Sequence, residues 1–86
     1  MAMTVSVVTR TETLYSGSGS MVVLPAETGE LGVLSGHEPL IGVLGSGSVR
    51  ITDDGQVHKF VVAGGIFSID SDVVTVAAHS GSVAGA

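Results

Sequence analysis

The feature that most restricts this sequence is the spacing of its apolar residues. They alternate with small or polar residues over short runs, and a glycine or turn residue interrupts each run. TVSVVT at 4–9 and VRIT at 49–52 follow this pattern. Period-two alternation puts one set of side chains on each face of an extended strand, whereas a helix needs apolar positions three and four apart. No helical pattern of about ten residues or more can be drawn anywhere in the chain. Residue type agrees with spacing. Of 86 residues, 26 are Val, Ile or Thr, whose branched Cβ restricts χ1 in a helix and fits a pleated surface. Only Tyr15, Phe60 and Phe67 are aromatic, so the core must be aliphatic.

Punctuation sets the expected elements. Strands are expected at 4–9, 13–15, 20–24, 31–34, 40–44, in both arms of 49–60, and at 60–63, 66–69 and 73–78. The small-residue clusters Ser16–Gly19, Gly45–Ser48 and Gly64–Gly65 read as turns, as do Ala26–Gly29, Ser35–Gly36 and Asp70–Asp72. Pro25, which lacks a backbone donor, is expected to stop the third strand. Asp54-Gly55 offers the positive φ angles of a two-residue type I′ turn, which sets Val49 opposite Phe60, Ile51 opposite His58 and Arg50 opposite Lys59. The tail from His79 is small and polar, and 80–86 is expected to fray. Eight to ten short strands at this spacing describe one all-β domain over 1–86, a sandwich or barrel.

Charge narrows the partners. Three cations stand against eight carboxylates, for a net charge of −5. Nucleic-acid binding rests on clustered cations, and anionic lipid is recognised by polybasic patches. Neither occurs here, so a protein partner is the better reading. No run approaches the roughly 18 apolar residues that span a bilayer, so direct membrane insertion is not expected. MAMTVSVVTR lacks the basic region of a secretory signal, and the chain is cytoplasmic in character. It contains no cysteine, which removes disulfides and thiolate metal sites.

Chemistry finds little support. Lys59, the only lysine, precedes Phe60 rather than the Ser or Thr of a phosphate-binding loop. Gly17-Ser18-Gly19 and Gly45-Ser46-Gly47 lack the third glycine and the helix of a dinucleotide fingerprint. His37, His58 and His79 have no ligand spacing, and Asp70-Ser71-Asp72 is too short for a calcium loop. No G-x-S-x-G elbow is present to support a hydrolase. The sequence therefore points to no catalytic residue, metal or cofactor.

One stretch carries more information. TGELGVLSGHEPL, residues 28–40, holds three glycines with Glu30, His37, Glu38 and Pro39. Glu30 must point outward if Leu31 points in, and Gly29, Gly36 and Pro39 restrict the backbone on either side. The pattern describes a rigid loop that presents Glu30, His37 and Glu38 to solvent or to a partner. It also resembles the signature of F-type ATP synthase epsilon subunits: Gly-Glu-Leu-Gly, an aliphatic residue, Pro-Gly-His, then proline. The other landmarks fall in that family's order. They are LYSG at 14–17, VVLPAETG leading into the signature, Gly47 followed by VRI at 49–51, FVVAGGIFSI at 60–69 and VVTVAA at 73–78. Together they cover residues 4–79.

The resemblance implies a flattened β-sandwich of about ten strands, the amino-terminal domain of a non-catalytic central-stalk subunit. Its expected partners are the gamma subunit and the c-subunit ring, and its expected location is the cytoplasmic face of a bacterial cell membrane, held there through the complex. It implies partner-binding roles for Thr28, Glu30, His37 and Glu38, with Glu30 toward the polar loops of the c ring and His37 near gamma. Two departures stand out. Ser35 occupies the position of the family's proline, so a less rigid turn is expected before Gly36. The family's carboxy-terminal helical hairpin has no counterpart before Ala86, so its ATP binding and its restraint of hydrolysis are not carried over. The alternative class is a stand-alone β-sandwich that binds a ligand or adheres to a surface.

Overall fold

A computed structural model of the chain describes residues 2–84. Every regular element is a strand: β1 (Met3–Val8), β2 (Thr13–Gly19), β3 (Met21–Ala26), β4 (Gly29–Leu34), β5 (Leu40–Asp53), β6 (Gln56–Asp70) and β7 (Val73–Val83). They pair in the order β2-β1-β7-β6-β5-β3-β4, antiparallel throughout except for the parallel β1–β7 pair. The all-β class is as expected. The strand number is seven rather than about ten, because two expected turns lie inside long strands and the second arm of the 49–60 hairpin runs on into 60–63.

Gly45–Ser48 is not a turn but part of β5, Gly64–Gly65 is part of β6, and Ser16–Gly19 completes β2. In the first two cases the glycines bend a strand without ending it. Leu44 pairs with Gly65 and Ser46 with Ala63, so the β5–β6 register is unbroken across the bend. The β6–β7 register is likewise continuous from Asp70 to Phe60. The inward-facing set nevertheless changes parity there. Leu44 is buried before the bend and Val49 and Ile51 after it; in β6, Phe60 and Val62 precede Phe67 and Ile69. Strict alternation cannot make that switch, so the paired strands kink together at the glycines without loss of register. Gly64 and Gly65 take φ of 72° and 129° to do so, values that residues with a Cβ rarely adopt.

The kink folds the sheet back on itself, which produces two facing layers from one hydrogen-bonded sheet. Tyr15 on β2 consequently meets His58 and Phe60 on β6, with ring centroids 5.1 and 5.8 Å apart. The core between the layers draws on β1, β3, β4, β5, β6 and β7, and apart from Met3, Phe60 and Phe67 it is wholly aliphatic. Val5, Val7, Val22, Leu24, Val33, Val49, Ile51, Val74 and Val76 are fully buried. No polar or charged residue is buried among the described residues.

Pro25 does not stop β3 but pairs with Glu30 inside the β3–β4 hairpin. The β3–β5 register jumps from Val23↔Arg50 to Ala26↔Leu44, so Pro25 lies in a bulge where no donor is required of it. The tail also differs from expectation. Residues 80–83 continue β7 and pair with Phe60–Ala63, and Ala84 N–H donates to the Lys59 carbonyl at 2.9 Å. The part of the expected frayed tail at 85–86 lies outside the described residues. The Asp54-Gly55 hairpin is as expected, with φ of 52° and 80° and the pairs Val49↔Phe60, Arg50↔Lys59 and Ile51↔His58.

Candidate partner-binding site

The 28–40 segment begins at the β3–β4 hairpin. Glu27 and Thr28 form its turn, Gly29 follows at φ 137°, and Glu27 N–H donates to the Val43 carbonyl at 2.9 Å. That bond ties the hairpin tip to β5. Thr28 and Glu30 are exposed there, along one wall of an open groove of about 310 Å³ whose other wall is Leu40, Val43 and Phe67. Gly42 forms its floor, and a Cβ there would approach the Phe67 ring to 2.5 Å. Glu30 points outward as alternation requires, and its Oε2 lies 3.4 Å from the Arg50 guanidinium. Both side chains are largely in water, so the pair is weak.

The segment continues through a second turn. His37 N–H donates to the Leu34 carbonyl at 3.1 Å, and Gly36 takes φ 87°. An i to i+3 bond with positive φ at the third residue defines a type II turn over Leu34–His37. His37 is half-buried, and its Nδ1 donates to the Glu38 carbonyl at 2.7 Å. Because a carbonyl can only accept, this bond places a proton on Nδ1. Glu38 is exposed. The structure therefore brings Thr28 and Glu30 together at the groove, whereas His37 and Glu38 sit on a separate turn and are not part of its lining.

Asp72, from the β6–β7 turn, supports the His37 turn. Its Oδ1 accepts from Gly36 N–H at 2.7 Å and its Oδ2 from the Ser35 hydroxyl at 3.0 Å. These donors, Gly36 first and Ser35 second, hold the carboxyl below its ordinary pKa. The loss of rigidity expected from serine at position 35 is thus met by a hydrogen bond that proline cannot make. At the far end of the sandwich, Tyr15 donates its hydroxyl to the Ser18 carbonyl at 2.6 Å; burial, and then the charge of Asp53, raise its pKa.

Sequence reading also missed an exposed apolar row. On the outer face of one layer, Val43 pairs with Ile66, Ile66 with Ala77, and Ala77 with Val8. Ile41, next along the same face, is 76% exposed, Ile66 57% and Val43 51%. Their neighbours Ser68, Thr75 and Ser6 are uncharged. The parity switch in β5 and β6 was the signal that could have revealed this face, since it assigns Ile41, Val43 and Ile66 outward. Among the described residues, no three His, Asp or Glu side chains are grouped to hold a metal ion.

Comparison with known proteins gives a consistent result. The model of the β-sandwich domain of the ATP synthase delta/epsilon chain matches residues 2–83. The chain is 49% identical over 80 residues to the ATP synthase epsilon chain of Janthinobacterium sp. (strain Marseille), covering 91% of this chain and 57% of the relative. It is 44% identical over 84 residues to that of Thioalkalivibrio sulfidiphilus, covering 93% of this chain and 60% of the relative. The chain thus spans a little over half the length of these relatives. In structure, it resembles a chain of the Euglena gracilis mitochondrial ATP synthase OSCP/F1/c-ring assembly with a TM-score of 0.88 at 20% identity, covering 95% of this chain and 53% of that one. It also resembles a chain of the Tetrahymena thermophila mitochondrial ATP synthase central stalk and c-ring, with a TM-score of 0.77 at 14% identity, covering 96% and 67%.

Proposed function

The chain belongs to the ATP synthase delta/epsilon-chain β-sandwich family, and from that premise we propose that it is a non-catalytic coupling part of a rotary F-type ATP synthase. In this reading it joins the gamma subunit to the c-subunit ring on the cytoplasmic face of a bacterial membrane, and transmits rotation driven by proton flow to the catalytic head. The observation that carries it is the uncharged apolar row Val43–Ile66–Ala77–Val8 with Ile41 beside it. A small domain that leaves such a face open is suited to bury it against another protein.

The parts divide the task. Gamma takes the apolar face together with the His37–Glu38 turn, because both need a desolvated partner to gain energy from contact. Thr28 and Glu30 at the hairpin tip meet the polar loops of the c ring, where a solvated carboxylate keeps its charge beside water. A folded-back sheet bonded continuously through β5, β6 and β7 resists shear, as transmission of torque requires.

Two measurements test this. The chain carrying a purification tag is expected to retain purified gamma subunit, and no recovery would favour a stand-alone module. In the assembled synthase, Glu30→Cys is expected to crosslink to a cysteine in the polar loop of the c subunit. Free reaction of that thiol with a bulky soluble reagent in the intact complex would overturn the assignment of Glu30.

A further inference from the structure

The turn that presents His37 and Glu38 is secured from a distant part of the chain. Types I and II differ by a flip of the central peptide, which reverses the direction of the third residue's N–H. In Leu34–His37 that group is Gly36 N–H, and it points at Asp72 Oδ1 at 2.7 Å. Ser35 stands at the second position, which favours proline because its ring pre-sets φ. Serine supplies no such restriction, but its hydroxyl reaches Asp72 Oδ2 at 3.0 Å. One carboxylate therefore engages both residues at the centre of the turn.

Asp72 is itself well anchored. It sits at φ 61° after Ser71 at φ 50° in the two-residue β6–β7 turn, and its carbonyl accepts from Thr4 N–H at 2.8 Å. Through its main chain and its side chain together, Asp72 thus links the start of β1, the β6–β7 hairpin and the loop between β4 and β5. We propose that Asp72 is a positioning residue for partner docking, holding the type II turn through Ser35 and Gly36 so that His37 and Glu38 are presented in one orientation. The inference rests on the proposed docking of gamma at that turn.

Asp72→Gly tests this, because glycine accepts the left-handed backbone at this position while the carboxylate is removed. Hydrogen exchange at the Gly36 amide is expected to accelerate, and affinity for purified gamma subunit to fall roughly three- to tenfold, as expected for the loss of hydrogen bonds that order a docking turn. Adding Ser35→Pro to Asp72→Gly is expected to restore gamma affinity while Gly36 exchange stays fast. Proline fixes the turn without shielding that amide, and Leu34 already lies in an extended strand that suits a following proline. A role limited to general stability would not produce that split.

Wild-type affinity in Asp72→Gly, or no recovery in the double variant, would overturn the inference. So would unchanged Gly36 exchange in Asp72→Gly, with the wild-type chain still binding gamma. No gamma binding by the wild-type chain would instead overturn the proposed function, and the docking role with it. Should Asp72→Gly not fold, Asp72→Asn keeps the turn and one acceptor. Its affinity for gamma is expected below wild type, and wild-type affinity there would count against the inference.

Discussion

Glu30 and Arg50 show how little a visible contact need contribute. Their atoms are 3.4 Å apart, but the side chains are 61% and 41% exposed. At that exposure the Coulomb gain is screened and offset by the ordering of two long side chains. A double-mutant cycle with Glu30→Gln and Arg50→Gln, followed by denaturant unfolding, is expected to give a coupling below about 1 kcal/mol that shrinks in high salt. A larger effect of Glu30→Gln on assembly than on folding would be consistent with a docking role. Arg50 also lies opposite Lys59, a like-charge pair that Glu30 partly offsets. The outward direction of Glu30 was legible from Leu31 beside it. Its contact with Arg50 was not, because it depends on β4 and β5 both flanking β3, a neighbour relation with no local signal.

At the scale of elements, identical residues have different roles. Gly55 in the β5–β6 turn has φ 80° and open space where a Cβ would be. Gly65 has φ 129°, and a Cβ there would overlap the Ala77 carbonyl oxygen on β7. Gly55→Ala is therefore expected to cost about 1 kcal/mol, from backbone strain alone. Gly65→Ala adds a clash with backbone that cannot rotate away, and a loss of roughly 3 kcal/mol or more is expected, enough to leave much of so small a domain unfolded. Urea unfolding of the two variants checks both, and equal costs would refute this account of the kink. The Asp54-Gly55 turn was readable because a two-residue hairpin announces itself in its own residues. Gly45–Ser48 and Gly64–Gly65 look similar in sequence, yet they bend strands whose pairing runs on. Whether a glycine ends a strand or kinks it depends on the neighbouring strand.

For the whole molecule, the contrast lies between a sealed aliphatic core and the apolar row left outside it. Ile41 is 76% exposed, so Ile41→Asp is expected to change folding stability by no more than about 0.5 kcal/mol. On the proposed reading it buries an unpaired charge against gamma, and affinity is expected to fall at least about tenfold in a pulldown or titration. A variant that lost stability and binding together would place Ile41 in the fold rather than at an interface. The same comparison applied to His37 would separate a docking turn from a solvated one.

By itself, the sequence determined the all-β class, the aliphatic core, the Asp54-Gly55 hairpin and the family pattern from Thr28 to Leu40. Each of these is written in residues close together along the chain, as alternation, turn chemistry or a short motif. Only the tertiary structure decided that β5 and β6 kink in concert, that Pro25 falls in a bulge, that Ile41, Val43 and Ile66 face outward, and that Asp72 holds Ser35 and Gly36. Those features depend on contacts between residues far apart in the chain. Backbone pairing and steric contact between neighbouring strands set them, and no local preference records which strand will be the neighbour.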